Sequence, residues 1–266
     1  MIFNVLSIAG TDPSGGAGMQ ADLKTFSALG TYGMSIVTAV VAQNTQGVTA
    51  VHQISGDFVA KQLEVLFDDV RVDAVKIGML GNTEVIRTVA IALKRYRPPY
   101  IVLDPVMVAT SGDQLLVPAA VAVLRDELLP LVDLMTPNLP EAAQLLGENE
   151  ATNAEEMVDQ LERLHRLCKG VLIKGGHLSG NESVDLLKID GATTRLVAPR
   201  VQTRNTHGTG CTLSAAIAAL RPQRSDWMSA VSDAKNYLTA SLMAAEILEV
   251  GHGSGPVHHF HALWPS

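Results

Sequence analysis

Short apolar runs alternate along this chain with longer amphipathic stretches, and turn-forming residues separate them. Residues 5–9, 74–77, 100–103, 133–135 and 171–173 are mainly apolar, the pattern of strands buried on both faces of a parallel sheet. Residues 35–41 read as a further strand. Residues 48–54 alternate weakly and lie close behind it, which predicts an antiparallel hairpin or flap. Residues 184–189 and 195–203 read as a second antiparallel pair around Asp190-Gly191.

Helical spacing fills the gaps. Residues 19–29 end at Gly30, and residues 57–67 place Val59, Leu63 and Leu66 on one face. Residues 83–95 are closed by Arg97-Pro98-Pro99. A turn-rich segment at 109–114 precedes a helix at 119–129. Thr136-Pro137-Asn138 opens a helix that ends near Gly147. Thr152 and Glu155 form a capping-box pair ahead of a helix carrying Met157, Leu161, Leu164 and Cys168 on one face. Leu213, Ile217 and Leu220 mark another helix, and the last spans 226–248. Strands that alternate with helices predict an α/β fold: a doubly wound, mostly parallel central sheet flanked by helices, with a small β flap. No charged or Pro/Ser-rich linker and no internal repeat divides it, so residues 1–266 read as a single domain.

Composition narrows the function classes. A chain of 266 residues, 47% hydrophobic and 18% charged, is globular and long enough for a full core. The net charge is −7 and the basic residues are scattered, which gives no footing to nucleic acid. No apolar run reaches the roughly 18 residues of a membrane span, so no membrane partner is expected. Two cysteines, Cys168 and Cys211, are too few for a disulfide framework. Residues 1–4 pass at once into a short apolar run ending in Gly10, unlike a signal peptide. The cytoplasm is the expected location.

Ligands in such sheets bind beyond the carboxyl ends of the strands. Polar and glycine-rich residues fall there repeatedly: Gly10 to Asp12, Gln43-Asn44, Gly78-Met79, Asp104, Asn138 with Glu141, and Lys174. The loop Gly10-Thr11-Asp12-Pro13-Ser14-Gly15-Gly16-Ala17-Gly18 lacks the Lys-Ser/Thr of a Walker A loop. It matches the loose dinucleotide pattern, but no acidic residue ends the following strand, so a nicotinamide cofactor is disfavoured. It reads instead as a backbone cradle for a small polar ligand, with Asp12 and Asp22 as candidate partners. Asp22 reads equally well as a solvated first-turn acid. Asn138 and Glu141 share a helix face and suit Mg²⁺ through water, or they form a capping box. Asp104 can join the metal shell or accept backbone bonds. Lys174 can hold a phosphate or be solvated. The cluster His258-His259 and His261 reads as a polar tail end, with metal binding the less favoured alternative.

The stretch Asn205-Thr206-His207-Gly208-Thr209-Gly210-Cys211-Thr212 is the organising element. Small residues lead into an apolar helix, and free N–H groups at a helix start bind anions. Together with Asn138-Leu139-Pro140-Glu141, Lys174-Gly175-Gly176-His177 and the first loop, this stretch resembles the ribokinase-like superfamily. Within it, the chain is most similar to the bacterial kinases of hydroxymethylpyrimidine and its phosphate in thiamine biosynthesis, over nearly its whole length. The resemblance implies an ATP- and Mg²⁺-dependent enzyme that phosphorylates the hydroxymethyl group of a small pyrimidine and then the monophosphate. It implies an anion hole at Gly208, Thr209, Gly210 and Cys211. Asn138, Lys174, Thr206 and Lys235 would serve the nucleotide, and Asp104 and Glu141 would order Mg²⁺. Gly10, Asp22, Gln43, Met79 and Val106 would line the pyrimidine pocket. It also implies a homodimer. Most sugar kinases of the superfamily carry Asp as catalytic base where Cys211 stands. Cys211 is either the proton acceptor, its pKa lowered by the helix terminus, or a neutral thiol that shapes the pocket. A pyridoxal or pyridoxine kinase is the nearest alternative, and a non-catalytic binding protein on this fold a more distant one.

Overall fold

The computed structural model describes residues 1–108, 112, 115–176 and 180–264. Most of the expected turn at 109–114 and His177 lie outside them. Ten strands are present among the described residues: β1 (Asn4–Ala9), β2 (Tyr32–Val37), β3 (Ala39–Asn44), β4 (Gly47–Gln53), β5 (Ala74–Ile77), β6 (Ile101–Leu103), β7 (Leu134–Met135), β8 (Val171–Lys174), β9 (Glu182–Ile189) and β10 (Ala192–Pro199). Eight of them form one sheet in the order β10-β9-β8-β7-β6-β5-β1-β2. The run from β8 to β2 is parallel, while β9 and β10 are antiparallel. β3 and β4 make a separate hairpin.

The helices are α1 (Gly18–Ala28), α2 (Gly56–Asp69), α3 (Thr83–Tyr96), α4 (Pro118–Val123), α5 (Leu139–Leu146), α6 (Ala154–Leu164), α7 (Thr209–Leu220) and α8 (Trp227–Met243). Successive strand residues point to opposite faces, so each strand feeds two cores. Leu6, Ile8, Val75, Ile77, Leu103 and Ile173 pack with residues of α2 to α6. Val5, Ala74, Val102, Leu134 and Leu172 pack with α1, α7 and α8 on the other face. α7 contacts α1, α8, β1, β5 and β6, which explains its composition. Every residue from Thr212 to Leu220 is buried, and most are Ala, Ser or Leu. Small side chains let a helix surrounded by packing partners lie close to the sheet.

Several sequence expectations need correction. The single strand expected at 35–41 is split at Thr38, whose N–H donates to Ala9 O (3.0 Å) and whose hydroxyl donates to Met79 O (2.7 Å). The chain therefore leaves the sheet there, and the hairpin partner of β4 is β3. Both halves are equally β-branched or small, so periodicity could not mark the break. Asn153, not Thr152, caps α6: its side chain accepts from the N–H groups of Glu155 and Glu156. α6 ends at Leu164, and Cys168 is buried in the loop beyond, its thiol donating to Gly170 O at 3.2 Å. The helix expected at 119–129 widens after Val123 into a π-helical turn, and α8 stops at Met243.

The histidine tail is structural. His259 is buried, with Nε2 3.1 Å from Thr212 Oγ1, and burial pushes its pKa down to about 3. His258 N–H donates to Ser241 O at 3.0 Å. These bonds pin the tail to α7 and α8. Among the described residues, no three His, Cys, Asp or Glu side chains gather into a metal site. No helix among them is long and apolar enough to cross a membrane.

Candidate active site

The site is built around the start of α7. Gly208 caps the helix with φ +79°, a left-handed conformation that glycine adopts without strain. A Cβ there would fall 1.8 Å from Gly16 O, so the two glycine-rich loops touch through bare backbone. The first N–H groups of α7 have no carbonyl to bond within the helix. Helix geometry thus leaves donors and a positive dipole end beside the carboxyl ends of the strands.

Asp12 organises the first loop. Its carboxylate accepts from the N–H groups of Ser14 (2.9 Å), Gly16 (3.1 Å) and Ala17 (2.7 Å) and from the Ser14 hydroxyl (2.7 Å). His207 Nε2 lies 2.8 Å from the same group. Burial raises the carboxyl pKa, but His207, Gln43, Ser14 and Ala17 outweigh it and hold Asp12 below the usual carboxylate range. Asp12 is spent on the loop and is not a ligand partner.

Asn138 and Glu141 form a reciprocal capping box at α5, with both bonds at 2.8 Å. The capping alternative is realised. Glu141 is nevertheless at the cavity wall, where burial pushes it up to about 7 against the charge of Lys174. Lys174 Nζ lies 2.9 Å from Asp104 Oδ1 and 3.8 Å from Glu141 Oε2. Burial lowers the Lys174 pKa, but those two carboxylates more than offset it and keep the ammonium charged. Lys174 is therefore ion-paired, not solvated. Two buried carboxylates are hard oxygen donors, too few for an all-protein cage. They suit Mg²⁺, which keeps waters and completes its shell with phosphate oxygens.

Beneath α7 the floor carries a group that the sequence reading passed over. Lys76, in the middle of β5, is fully buried and donates to both oxygens of Asp22, at 2.8 and 2.9 Å. The Ser7 hydroxyl donates to the same carboxylate at 2.6 Å. Asp22 lies wholly under α1 and does not reach the cavity, so neither the pyrimidine-contact nor the solvated reading holds for it. Lys76 does line the cavity. Burial pushes the Cys211 thiol up to about 11, with the positive charge of Lys76 opposing it. The lowering expected from the helix terminus is overcome by desolvation.

Of the residues that the resemblance places in the site, all but Asp22 line one cavity of about 660 Å³. Gly10, Gln43, Met79 and Val106 are in its wall, with Met79 Cε 2.9 Å from where a Gly10 Cβ would stand. Gly208, Thr209, Gly210 and Cys211 line it beside Asp104, Glu141 and Lys174, a Gly210 Cβ position lying 3.2 Å from Lys174 Nζ and 3.3 Å from Asp104 Oδ2. Thr206 and Lys235 line it too, with the apolar residues Pro199, Val201, Leu238 and Leu242. Lys235 bonds Asp185 Oδ2 at 2.6 Å, and Asp185 Oδ1 accepts from Gly175 N–H at 3.1 Å. Lys76 and Asp185 did carry a signal: a charge inside an otherwise apolar buried strand needs a partner.

Comparison with known proteins agrees with this arrangement. Residues 12–258 match the family described as phosphomethylpyrimidine kinase. The chain is 58% identical over 262 residues to the hydroxymethylpyrimidine/phosphomethylpyrimidine kinase of Escherichia coli (strain K12), spanning 98% of each chain. A solved phosphomethylpyrimidine kinase from Clostridium difficile 630 is 44% identical, with a TM-score of 0.79, over 89% of this chain and 98% of that one. The ADP complex of Bacillus subtilis pyridoxal kinase is 35% identical, with a TM-score of 0.91, over 98% of this chain and 99% of that one.

Proposed function

We propose roles for the residues of this site from one premise: the chain belongs to the phosphomethylpyrimidine kinase family. It is an ATP-using kinase of hydroxymethylpyrimidine and of hydroxymethylpyrimidine phosphate in thiamine biosynthesis. The observation that carries the residue assignment is the start of α7 set directly beside the Lys174–Asp104–Glu141 cluster, with a Gly210 Cβ position 3.2 Å from Lys174 Nζ and 3.3 Å from Asp104 Oδ2.

Phosphoryl transfer proceeds through a loose transition state and depends mainly on positioning and charge stabilisation. The N–H groups at 208–211 hold the transferred phosphoryl oxygens. Lys174 neutralises phosphate charge when ATP enters, exchanging part of its contact with Asp104. Lys235 and Thr206 hold the nucleotide end, and Asn138 keeps Glu141 aimed at the cavity. Bound Mg²⁺, ordered by Asp104 and Glu141, supplies further neutralisation of the nucleotide phosphates. Gly10, Gln43, Met79 and Val106 hold the pyrimidine, with Gln43 offering a donor and an acceptor to its edge. Cys211 begins as a thiol and can accept the hydroxyl proton only as the thiolate, after its own proton has left to solvent, a form that the charge of Lys76 favours. The chain acts as one domain, and the family resemblance supports a cytoplasmic homodimer, which light scattering of the purified protein tests.

A second reading, pyridoxal kinase, has support in the close fold match to pyridoxal kinases. Both alcohols are flat heteroaromatic rings bearing a hydroxymethyl group, so the fold does not separate them. Turnover of purified protein with ATP, Mg²⁺ and each alcohol does. The expected result is phosphorylation of the pyrimidine and then of its monophosphate. Failure to phosphorylate the monophosphate would overturn the assignment.

A further inference from the structure

Three alternate glycines near the end of the chain, Gly251, Gly253 and Gly255, do not belong to the cavity wall. Each faces a specific partner through the place where a side chain would stand. A Cβ on Gly251 would lie 2.2 Å from Thr45 Oγ1, and one on Gly253 would lie 2.0 Å from Thr45 O. A Cβ on Gly255 would lie 2.1 Å from Asn205 Oδ1. Thr45 is the tip of the β3–β4 hairpin, two residues beyond Gln43. Asn205 opens the loop that leads to Gly208. The strap at 251–255 is therefore seated between the two, and a Cβ at 251, 253 or 255 would collide with them.

Hydrogen bonds follow the same line. Gly253 N–H donates to Thr45 Oγ1 at 3.1 Å, and Ser254 N–H donates to Thr45 O at 2.9 Å. Ser254 Oγ donates to Arg204 O at 3.1 Å. His207 N–H donates to Gly255 O at 3.0 Å, and His207 pairs with Pro256 as an isolated parallel bridge. The Nε2 of the same His207 holds Asp12 in the first loop. From hairpin tip to anion-binding turn the connection is continuous: Ser254 N–H to Thr45 O and His207 N–H to Gly255 O are backbone bonds, and the hydroxyls of Thr45 and Ser254 and the His207 ring supply the others.

We propose that the strap at 251–255 ties the hairpin to the start of α7, and that Thr45 is a positioning residue for the anion-binding turn. Occupation of the hairpin side through Gln43 then favours the arrangement of 208–211 that receives the transferred phosphoryl group, and the reverse holds by linkage. This rests on the roles proposed above for Gln43 and 208–211.

The test is a coupling measurement on the full chain. Hydroxymethylpyrimidine binding is titrated calorimetrically with and without a saturating non-hydrolysable ATP analogue and Mg²⁺, alongside kcat and KM. The parent chain is expected to bind the pyrimidine about fivefold or more tightly when the analogue is present. Gly253→Ala, which forces the strap off Thr45, and the milder Thr45→Val are expected to reduce that ratio toward one and to lower kcat. Affinity for each ligand alone should change less than twofold; the thermal midpoint of Thr45→Val should stay near that of the parent, while Gly253→Ala, whose Cβ would meet Thr45 O at 2.0 Å, should melt lower. Thr45→Ser, which keeps the accepting oxygen, should restore the ratio. No coupling in the parent, or full coupling in both folded variants, would overturn the proposal. Failure of the underlying site reading looks different: the parent would bind neither ligand, or Gly210→Val would turn over normally.

Discussion

Lys76 and Asp22 form a fully buried ion pair, with the ammonium 2.8 and 2.9 Å from the two carboxylate oxygens and neither side chain exposed. Asp22 is held under α1, yet Lys76 reaches the cavity floor. The pair thus delivers one positive charge to the underside of the site while α1 retains the compensating acid. Breaking such a pair leaves a buried uncompensated charge, which costs about 3–5 kcal/mol. Lys76→Met is expected to lower unfolding stability in urea by about that amount. Adding Asp22→Asn to it should return part of the loss. Equal stability of Lys76→Met and the parent would contradict the pairing.

Gly208 and Gly210 should fail for different reasons. Gly208→Ala places a Cβ 1.8 Å from Gly16 O at a φ of +79°, so the two loops must separate. Gly210→Val brings bulk toward Lys174 Nζ and Asp104 Oδ2, which a Cβ already meets at 3.2 and 3.3 Å. Loss of a preorganised anion donor costs about 10²–10³ in kcat. Both variants should show that loss, but only Gly208→Ala should also lower the thermal midpoint markedly. Steady-state kinetics and thermal melts of the two together check this.

Glu141 gives a pH signature. Its folded pKa is raised from 4.5 to about 7, chiefly by burial. Between those values the folded chain keeps a proton that the unfolded chain has released. The group therefore favours folding below pH 4.5, and that contribution is lost as pH rises toward 7. Glu141→Gln keeps a capping-box side chain at the helix start but cannot ionise. It should be more stable than the parent at pH 8, show little difference at pH 4.5, and lose Mg²⁺-dependent turnover. Urea titrations at the two pH values, with a kinase assay, read all three.

Cys211 and Cys168 should both resist alkylation at neutral pH, because burial pushes the thiols up to about 11 and about 12. Iodoacetamide labelling of Cys211 should rise steeply only in strongly alkaline solution, and should slow further in Lys76→Met. Cys211→Ala is expected to lower kcat about 10²-fold, the scale of a lost proton acceptor. Turnover close to the parent's would leave the sulfur as a wall of the pocket.

Much of this protein was legible in its sequence. The alternation of apolar runs with amphipathic stretches requires a parallel sheet wrapped by helices, because each run can bury its side chains only between two helical layers. Since ligands collect at the carboxyl ends of such strands, Gly10, Gln43, Asp104, Glu141, Lys174 and the turn at 208–211 could be grouped before any coordinates existed. The facing of single side chains was not legible. Asp22 and Lys76 lie 54 residues apart in the chain, and only the docking of α1 on the sheet turned the acid inward and left the lysine at the cavity. Thr38 looked like mid-strand because its bonds to Ala9 and Met79 are tertiary. The spaced glycines near the C-terminus carry no local pattern beyond turn formation. Their meaning came from Thr45, more than two hundred residues away, and contacts at that separation are decided by packing.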